Sequence, residues 1–483
     1  MGKGKKRKQN GQGESTQLLK KLKKDDSIPV HGQPSVGDGA SDPQIGNLIY
    51  VEELETTTET LVTLSKNPDL MPLKILKPLR TAVHDYWRVA TETSNTGASL
   101  TSRISSALVD QRHIDALVLL SEMEIRAQLP KLGALQRWVR ECDAVLVPTM
   151  SQEEQNLVWR VLCAILRTTQ PDFVPLTQET GGTLKPGSRL RWYPPFLQSP
   201  VESPPTPAPA TIDRGPIAAD VLKPLHTTLG PERRPPNRHP AVVYYSPPGT
   251  FPLLTSGDRT RQPQRFDVAG VPGAFIINDV FERSECQALI NAAEAVGMLP
   301  DEPAAGSAAQ FASVLAHNFI WLADAEFIAT LYSRTINHLP QTVNGGAVRG
   351  INRRFRLYRY HPGALYRPHI DGAWPASGLD ESTTPPSYVY DSDPALYSRL
   401  TFLIYLNDDF DGGCTTFFLP AAEAGVVDAR PVRPRTGTVC VFPHGAAKGS
   451  LLHEGSGVTQ GAKYIIRTEV LYEVDKSERV DSN

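Results

Sequence analysis

Between about residues 46 and 172 the apolar side chains recur every three or four positions, the period that lays them along one face of an α-helix. The stretches PLKILKPLRTAVHDYW (72–87), RHIDALVLLSEMEI (112–125) and QEEQNLVWRVLCAIL (152–166) carry the pattern. Ser151 followed by Glu154 makes a capping box at the start of the last one, because serine and glutamate side chains can satisfy amides that a helix terminus leaves unpaired. This block predicts a compact all-helical domain. Its Trp87, Trp138 and Trp159 sit at helical spacing among aliphatics, which favours a core role over a ligand pocket. No catalytic cluster converges there, so the block reads as a packing or partner-binding module.

From 173 to 265 the pattern dissolves into proline-rich tracts such as QSPVESPPTPAPAT (198–211). Proline lacks an amide donor and fixes its own backbone angle, so this region predicts a linker or peripheral cover. Beyond 266 the apolar runs shorten and become β-branched and aromatic, with Gly, Pro, Asn and Asp between them. FIIND (275–279), FRLYRY (355–360), RLTFLIYL (399–406), CTTFFL (414–419), GTVCVF (437–442) and KYIIRTEVLY (463–472) read as strands. LNDDFDGGC reads as a hairpin loop between two of them, and a helix opens at a capping box of Ser284 and Gln287 and stops at Gly297. Closely spaced short strands predict an antiparallel sandwich or barrel over 266–475. The chain is thus expected to be a multidomain α + β protein, with tails at 1–45 and 476–483 expected to be disordered.

Charge adds one local feature. Over 483 residues the formal net charge is −2, which implies no bulk attraction to nucleic acid or membrane. The first 24 residues nevertheless carry nine Lys or Arg against one Glu, in KGKKRK and KKLKK. Such blocks act as nuclear addresses or polyanion-binding arms, or are plain solvated tail. No stretch approaches the roughly 18 apolar residues of a membrane span, and none at the N-terminus reads as a secretory signal. The five cysteines are scattered without C-x-x-C spacing. These features predict a nuclear or cytoplasmic protein, and they turn any metal site towards His and carboxylate ligands.

The segment YRPHIDGAWP contains His369 and Asp371 two positions apart. In an extended segment their side chains emerge on one face, as two ligands of one metal would require. A third ligand must come from elsewhere in the chain, and His444 and His453 are the candidates. His453 is better placed, because a strand bearing basic residues follows it at once, and removal of His444 is expected to cost at most a modest factor. On that strand Lys463, Ile465 and Arg467 share a face, either inward to meet an anion or outward to solvent; the residues alone leave both open.

Taken together, RYHPGALYRPHID, RLTFLIYLNDDFDGGCTTFF and GTVCVFPH…HEGSGVTQGAKY resemble, in order and spacing, the 2-oxoglutarate- and Fe(II)-dependent dioxygenases, most closely the prolyl 4-hydroxylase-like branch. The resemblance covers roughly 270 to 473 and implies a double-stranded β-helix, or jelly roll, with flanking helices. It implies that His369, Asp371 and His453 form the catalytic Fe(2+) centre, and that Lys463 pairs with the distal carboxylate of 2-oxoglutarate, assisted by Tyr360, with Arg467 a second candidate. Cys414 departs from the Glu usual in G-G-E-T. The implied chemistry consumes dioxygen and 2-oxoglutarate, releases succinate and carbon dioxide, and hydroxylates a substrate, with L-ascorbate as an accessory reductant. An intracellular protein side chain, prolyl by analogy, is the expected substrate. The alternatives are a small molecule, or a non-catalytic scaffold in which the helical block does the binding. Nucleic-acid demethylation ranks below these, since the one dense basic cluster lies in the tail.

Overall fold

The computed structural model describes residues 49–94, 99–170, 181–198, 221–228, 241–251, 259, 261–300 and 316–474. The tails at 1–45 and 476–483 and the proline tract at 199–211 lie outside the described residues. The chain divides into two compact units, Met1–Lys77 and Pro78–Asn483. In the first, helix α1 (Val51–Ser65) is exposed on nearly every side and runs into two short 3-10 turns. Four of its threonines bond back to carbonyls four residues earlier, a local satisfaction that needs no tertiary partner. Helix α2 (Lys77–Ser94) lies, from Pro78 on, in the second unit, and its Trp87 is 50% exposed rather than in a core.

The second unit is layered. Its site is built on nine strands: β1 (Phe275–Asn278), β2 (Arg354–Tyr360), β3 (Tyr366–His369), β4 (Ser387–Tyr405), β5 (Thr415–Pro420), β6 (Val427–Val432), β7 (Val439–Pro443), β8 (Leu452–Gly455) and β9 (Lys463–Glu473). The larger sheet runs β2-β9-β4-β7-β1 and the smaller β6-β5-β8-β3. Following the chain from β2 to β9, every step except β5 to β6 passes from one sheet to the other. That is jelly-roll winding, and it corrects the reading of LNDDFDGGC as a hairpin loop. β4 and β5, which flank the segment, lie in different sheets, and the segment is a crossover between them whose Asp411 and Gly412 pair with Gln460 and Val458 instead.

Side-chain alternation explains the layers. On β5, Phe417 and Leu419 enter the barrel interior with Tyr405, Cys440, Phe442 and Ile465, while Phe418 points the other way. On the larger sheet, Phe355, Leu357, Phe402, Ile404 and Ile466 form the outer core that helices α7 (Arg283–Val296) and α8 (Ala325–Thr335) cover. Both faces of each sheet are thus buried, which is why these strands read as apolar runs rather than clean alternation.

Helices α3 (Leu100–Val109), α4 (His113–Ile125), α5 (Leu132–Val145) and α6 (Gln152–Thr169) do not stand apart as the all-helical domain that the periodicity suggests. Their core, around the fully buried Trp138, is continuous with Ile370, Phe418, Val427, Ala429 and Leu452 on the outer face of the smaller sheet. Burying each of the larger of these side chains is worth about 1.5–3 kcal/mol, so a bare outer face would be costly and the bundle is part of the barrel's body. Parts of the stretch read as a linker or peripheral cover act as cover in the same way. Leu190–Trp192 extends the smaller sheet alongside β6, and Ala241–Tyr245 the larger one.

Two capping expectations fared differently. Ser151 and Glu154 form the predicted box, with Glu154 accepting from the Ser151 amide at 2.9 Å. The second box is Glu282 with Glu285, not Ser284 with Gln287, because the helix starts at Arg283 and encloses both of the expected residues. Gly297 ends that helix as expected, at φ +81°. Among the described residues no helix is long and apolar enough to cross a membrane.

Candidate active site

Antiparallel pairing of β3 with β8 sets His369 directly opposite His453. The two rings lie 4.3 Å apart between centroids, and Asp371, just past the end of β3, brings its carboxylate to both: Oδ1 is 3.5 Å from His369 Nε2, and Oδ2 is 3.7 Å from His453 Nε2. One donor atom from each of the three residues falls within 4.8 Å of the others, and among the described residues this is the one cluster of that kind. The Nδ1 atoms are committed elsewhere. His369 Nδ1 is 2.8 Å from the Arg367 carbonyl and His453 Nδ1 is 3.0 Å from that of Leu451. A carbonyl can only accept, so each Nδ1 carries a proton, which leaves Nε2 as the ring atom able to ligate at the shared point. Burial, then the facing His369, pushes the His453 imidazole down to about 4, so it is neutral near pH 7. Two imidazoles and one carboxylate on one face suit non-haem Fe(II) and leave further positions open.

Asp371 is held on its other side by Arg467 and Thr401. Arg467 Nη2 lies 3.2 Å from Oδ1, and Thr401 donates to Oδ2 at 2.7 Å. Burial alone would raise the pKa of Asp371; the Arg467 charge and the two histidines outweigh it and hold the carboxyl well below its usual range. Arg467 also pairs with the fully buried Glu469 at 3.0 Å, so both sides of its guanidinium are engaged by carboxylates. His444, the other late histidine, is outside the cluster. It is 3% exposed and sits one layer back, 2.7 Å from Thr401 Oγ1 and 2.7 Å from Ser398 Oγ. Gly445 after it adopts φ +80°, and a Cβ there would come 2.6 Å from Ala373 Cβ, so only glycine lets this turn seat against the loop after Asp371.

The strand of basic residues faces inward. Lys463, Ile465 and Arg467 all line one cavity of about 350 Å³ that also contains the His–Asp–His cluster, whereas Ile466 enters the outer core. Lys463 is 2% exposed, lies opposite Tyr360 across the β2–β9 pair, and donates to the Gly413 carbonyl at 2.6 Å. Burial brings its pKa down to about 8. Gly413 has φ +63°, and a Cβ there would lie 2.7 Å from the Phe410 ring and 3.1 Å from Lys463 Cδ. The G-G pair therefore makes room for the lysine. Cys414 flanks it, and burial raises that thiol's pKa.

Several cavity residues escaped the sequence reading. Gln136 and Arg140 of α5 line it with Arg356, Tyr366 and Trp374. Gln136 donates to the Ile370 carbonyl at 3.0 Å, and Asp143 accepts from Arg367 at 2.6 and 2.9 Å, which ties α5 to the strand that carries His369. Separations above 220 residues hide such pairs from any local pattern. Tyr366, three residues before His369 and tilted against its ring with centroids 4.3 Å apart, was the one open to inspection.

Comparison with known proteins bears on the same region. Residues 355–468 match the 2OG-Fe(II) oxygenase superfamily, a span that includes Tyr360, His369, Asp371, His453, Lys463 and Arg467. No curated protein sequence matches the chain. Among solved structures, the viral collagen prolyl hydroxylase of Paramecium Bursaria Chlorella virus-1, in its 2OG complex, aligns at 18% identity and TM-score 0.27, over 45% of this chain and 98% of its own. A prolyl hydroxylase from Trichoplax adhaerens, bound to a hypoxia inducible factor peptide fragment, aligns at 14% and 0.28, over 44% and 87%. A 2OG-Fe(II) oxygenase family oxidoreductase from Burkholderia pseudomallei aligns at 17% and 0.25, over 42% and 87%. Residues 355–468 are a 2OG-Fe(II) oxygenase superfamily domain, and the protein that carries it is an oxidoreductase of the dioxygenase type, with 2-oxoglutarate and dioxygen as co-substrates.

Proposed function

We propose that the protein hydroxylates an intracellular protein side chain, prolyl by analogy with the prolyl 4-hydroxylase-like branch, using Fe(II) held by His369, Asp371 and His453. The observation that carries the metal assignment is the pair of Nε2 atoms and the carboxylate facing one point with both Nδ1 atoms locked to backbone carbonyls. Fe(II) bound there supplies the oxygen chemistry that converts 2-oxoglutarate to succinate and carbon dioxide and inserts oxygen into a substrate C–H bond. The chain's own residues do the rest. The locked imidazoles and the Arg467-held carboxylate need no rearrangement to bind, and Lys463, with Tyr360 beside it, receives the distal carboxylate of 2-oxoglutarate. A buried ammonium set 2.6 Å from a neutral carbonyl is well placed for a carboxylate that removes the cost of its burial.

A protein substrate is supported by the rim. Depth in the cavity runs from buried Lys463 and His453 outward to exposed Arg140 on α5. Trp374 stands at the root of the ribbon formed by Pro375–Asp380 and the first half of β4, its ring 5.5 Å from that of Tyr390. A cavity that opens from the buried triad to the exposed Arg140 and to Trp374 can admit an extended peptide as well as a small molecule, and the open side favours the peptide. The test is succinate formation by the purified protein with Fe(II), 2-oxoglutarate and ascorbate. It is followed by mass spectrometry of proteins trapped on the Asp371→Ala variant, searched for a +16 Da change that active enzyme installs. Absence of succinate would remove the enzymatic reading; a trapped set with no such change would remove the protein substrate.

The lysine also sets a pH dependence. With its pKa near 8 in the free enzyme, Lys463 is charged below that pH and loses its proton above it. Carboxylate binding favours the charged form, so affinity for 2-oxoglutarate should be flat below pH 8 and weaken about tenfold per unit above it. The profile of kcat/KM for 2-oxoglutarate reads this directly, and in Lys463→Arg the alkaline fall should vanish.

A further inference from the structure

A single file of hydrogen bonds reaches Asp371 from the cavity wall. The Trp374 amide donates to Ser398 Oγ at 2.7 Å; Ser398 Oγ is 2.7 Å from His444 Nε2; His444 Nδ1 is 2.7 Å from Thr401 Oγ1; and Thr401 donates to Asp371 Oδ2 at 2.7 Å. The direction of every link is forced. An ionised carboxylate only accepts, so the one proton of the Thr401 hydroxyl points to Asp371, and the same oxygen must accept from His444 Nδ1–H. The remaining nitrogen of a neutral imidazole accepts, so the Ser398 proton points to Nε2 and its oxygen takes the Trp374 amide. Ser398, Thr401 and His444 are all 3% exposed or less, which shuts out the water that could otherwise replace a missing link.

We infer that His444 is a positioning residue: through Thr401 it fixes which way the Asp371 carboxylate turns, and through Ser398 it links that carboxylate to the backbone of Trp374 in the cavity wall. This rests on the metal assignment above and goes beyond it. Loss of an outer partner of a metal ligand typically costs about 10–100-fold in metal affinity, a larger effect than the modest one expected for His444 from the sequence. The consequence for substrate binding is equally specific. A group that moves the Trp374 backbone changes the donor to Ser398 and so the hold on Asp371.

Co(II) titration of the full-length protein, followed by its visible absorption, tests this without turnover. His444→Phe and Thr401→Val should each weaken Co(II) binding about 10–100-fold and shift the absorption bands. The double variant should be no weaker than the worse single one, because His444 reaches Asp371 only through the Thr401 hydroxyl, which Thr401→Val already removes. His444→Asn, whose amide nitrogen can stand where Nδ1 stood, should recover most of the loss. Unchanged affinity and spectrum in a folded His444→Phe, or losses that multiply in the double variant, would overturn the inference. Should His444→Phe fail to fold, Thr401→Val decides alone, since normal Co(II) binding by it excludes the chain. A wild-type protein that binds no Co(II) would instead remove the metal assignment, and the positioning role with it.

Discussion

His369→Ala and Asp371→Ala each reduce 2-oxoglutarate turnover to the level of the metal-free protein, a larger loss than the roughly 10–100-fold that follows removal of an outer partner. The two variants differ in what they leave behind. His369 is partly exposed, and its imidazole contacts the Arg367 carbonyl and the Asp371 carboxylate, which keeps Arg467 and Thr401 as partners when the ring is removed. Asp371→Ala strips one carboxylate from Arg467 and the acceptor from Thr401, although Glu469 still compensates the guanidinium at 3.0 Å. Both proteins should therefore fold, with Asp371→Ala melting at the lower temperature. Succinate release measured alongside thermal denaturation distinguishes lost chemistry from lost structure, and full turnover in either folded variant would refute the ligand assignment.

The legibility of this site follows from how far apart its parts lie in the chain. The triad and the lysine occupy strands whose order and spacing are local facts, so the motif exposes them even though β3 and β8 are more than 80 residues apart. Strand positions were equally visible, because β-branched and aromatic runs bounded by turn residues report burial directly. What stayed hidden is which strands pair. A crossover between sheets and a hairpin loop share the same Asn, Asp and Gly vocabulary, so LNDDFDGGC gave no sign that β4 and β5 belong to different sheets. The helical block concealed its attachment for a related reason. A stripe of Leu, Val and Trp is equally apolar whether it meets another helix or the outer face of a sheet, and Phe418 and Leu452, which meet it, lie more than 240 residues away. His444 was read as a rival ligand because a sequence shows that an imidazole is near a site and not how many layers deep it lies.

Lys463→Ala raises the apparent KM for 2-oxoglutarate by about a hundredfold or more. Deleting one partner of a buried, hydrogen-bonded ion pair costs roughly 3–5 kcal/mol, since the other charge is left uncompensated. Solvent cannot substitute for the lost ammonium, because Lys463 is 2% exposed and enclosed by Tyr360, Tyr405 and the Gly413 carbonyl. Lys463→Arg keeps the charge and should be milder, limited by the fit of a longer, planar group into space that Gly413 and Phe410 already confine. Arg467→Ala gives the opposite signature. Its guanidinium is spent on Asp371 and Glu469, so its loss should weaken metal binding and leave the dependence on 2-oxoglutarate much less changed at saturating metal. Steady-state kinetics at saturating Fe(II), with Co(II) affinity measured in parallel, separate the two residues. A large rise in KM for Arg467→Ala together with an unaltered KM for Lys463→Ala would move the carboxylate anchor two residues along β9 and overturn the role given to the lysine.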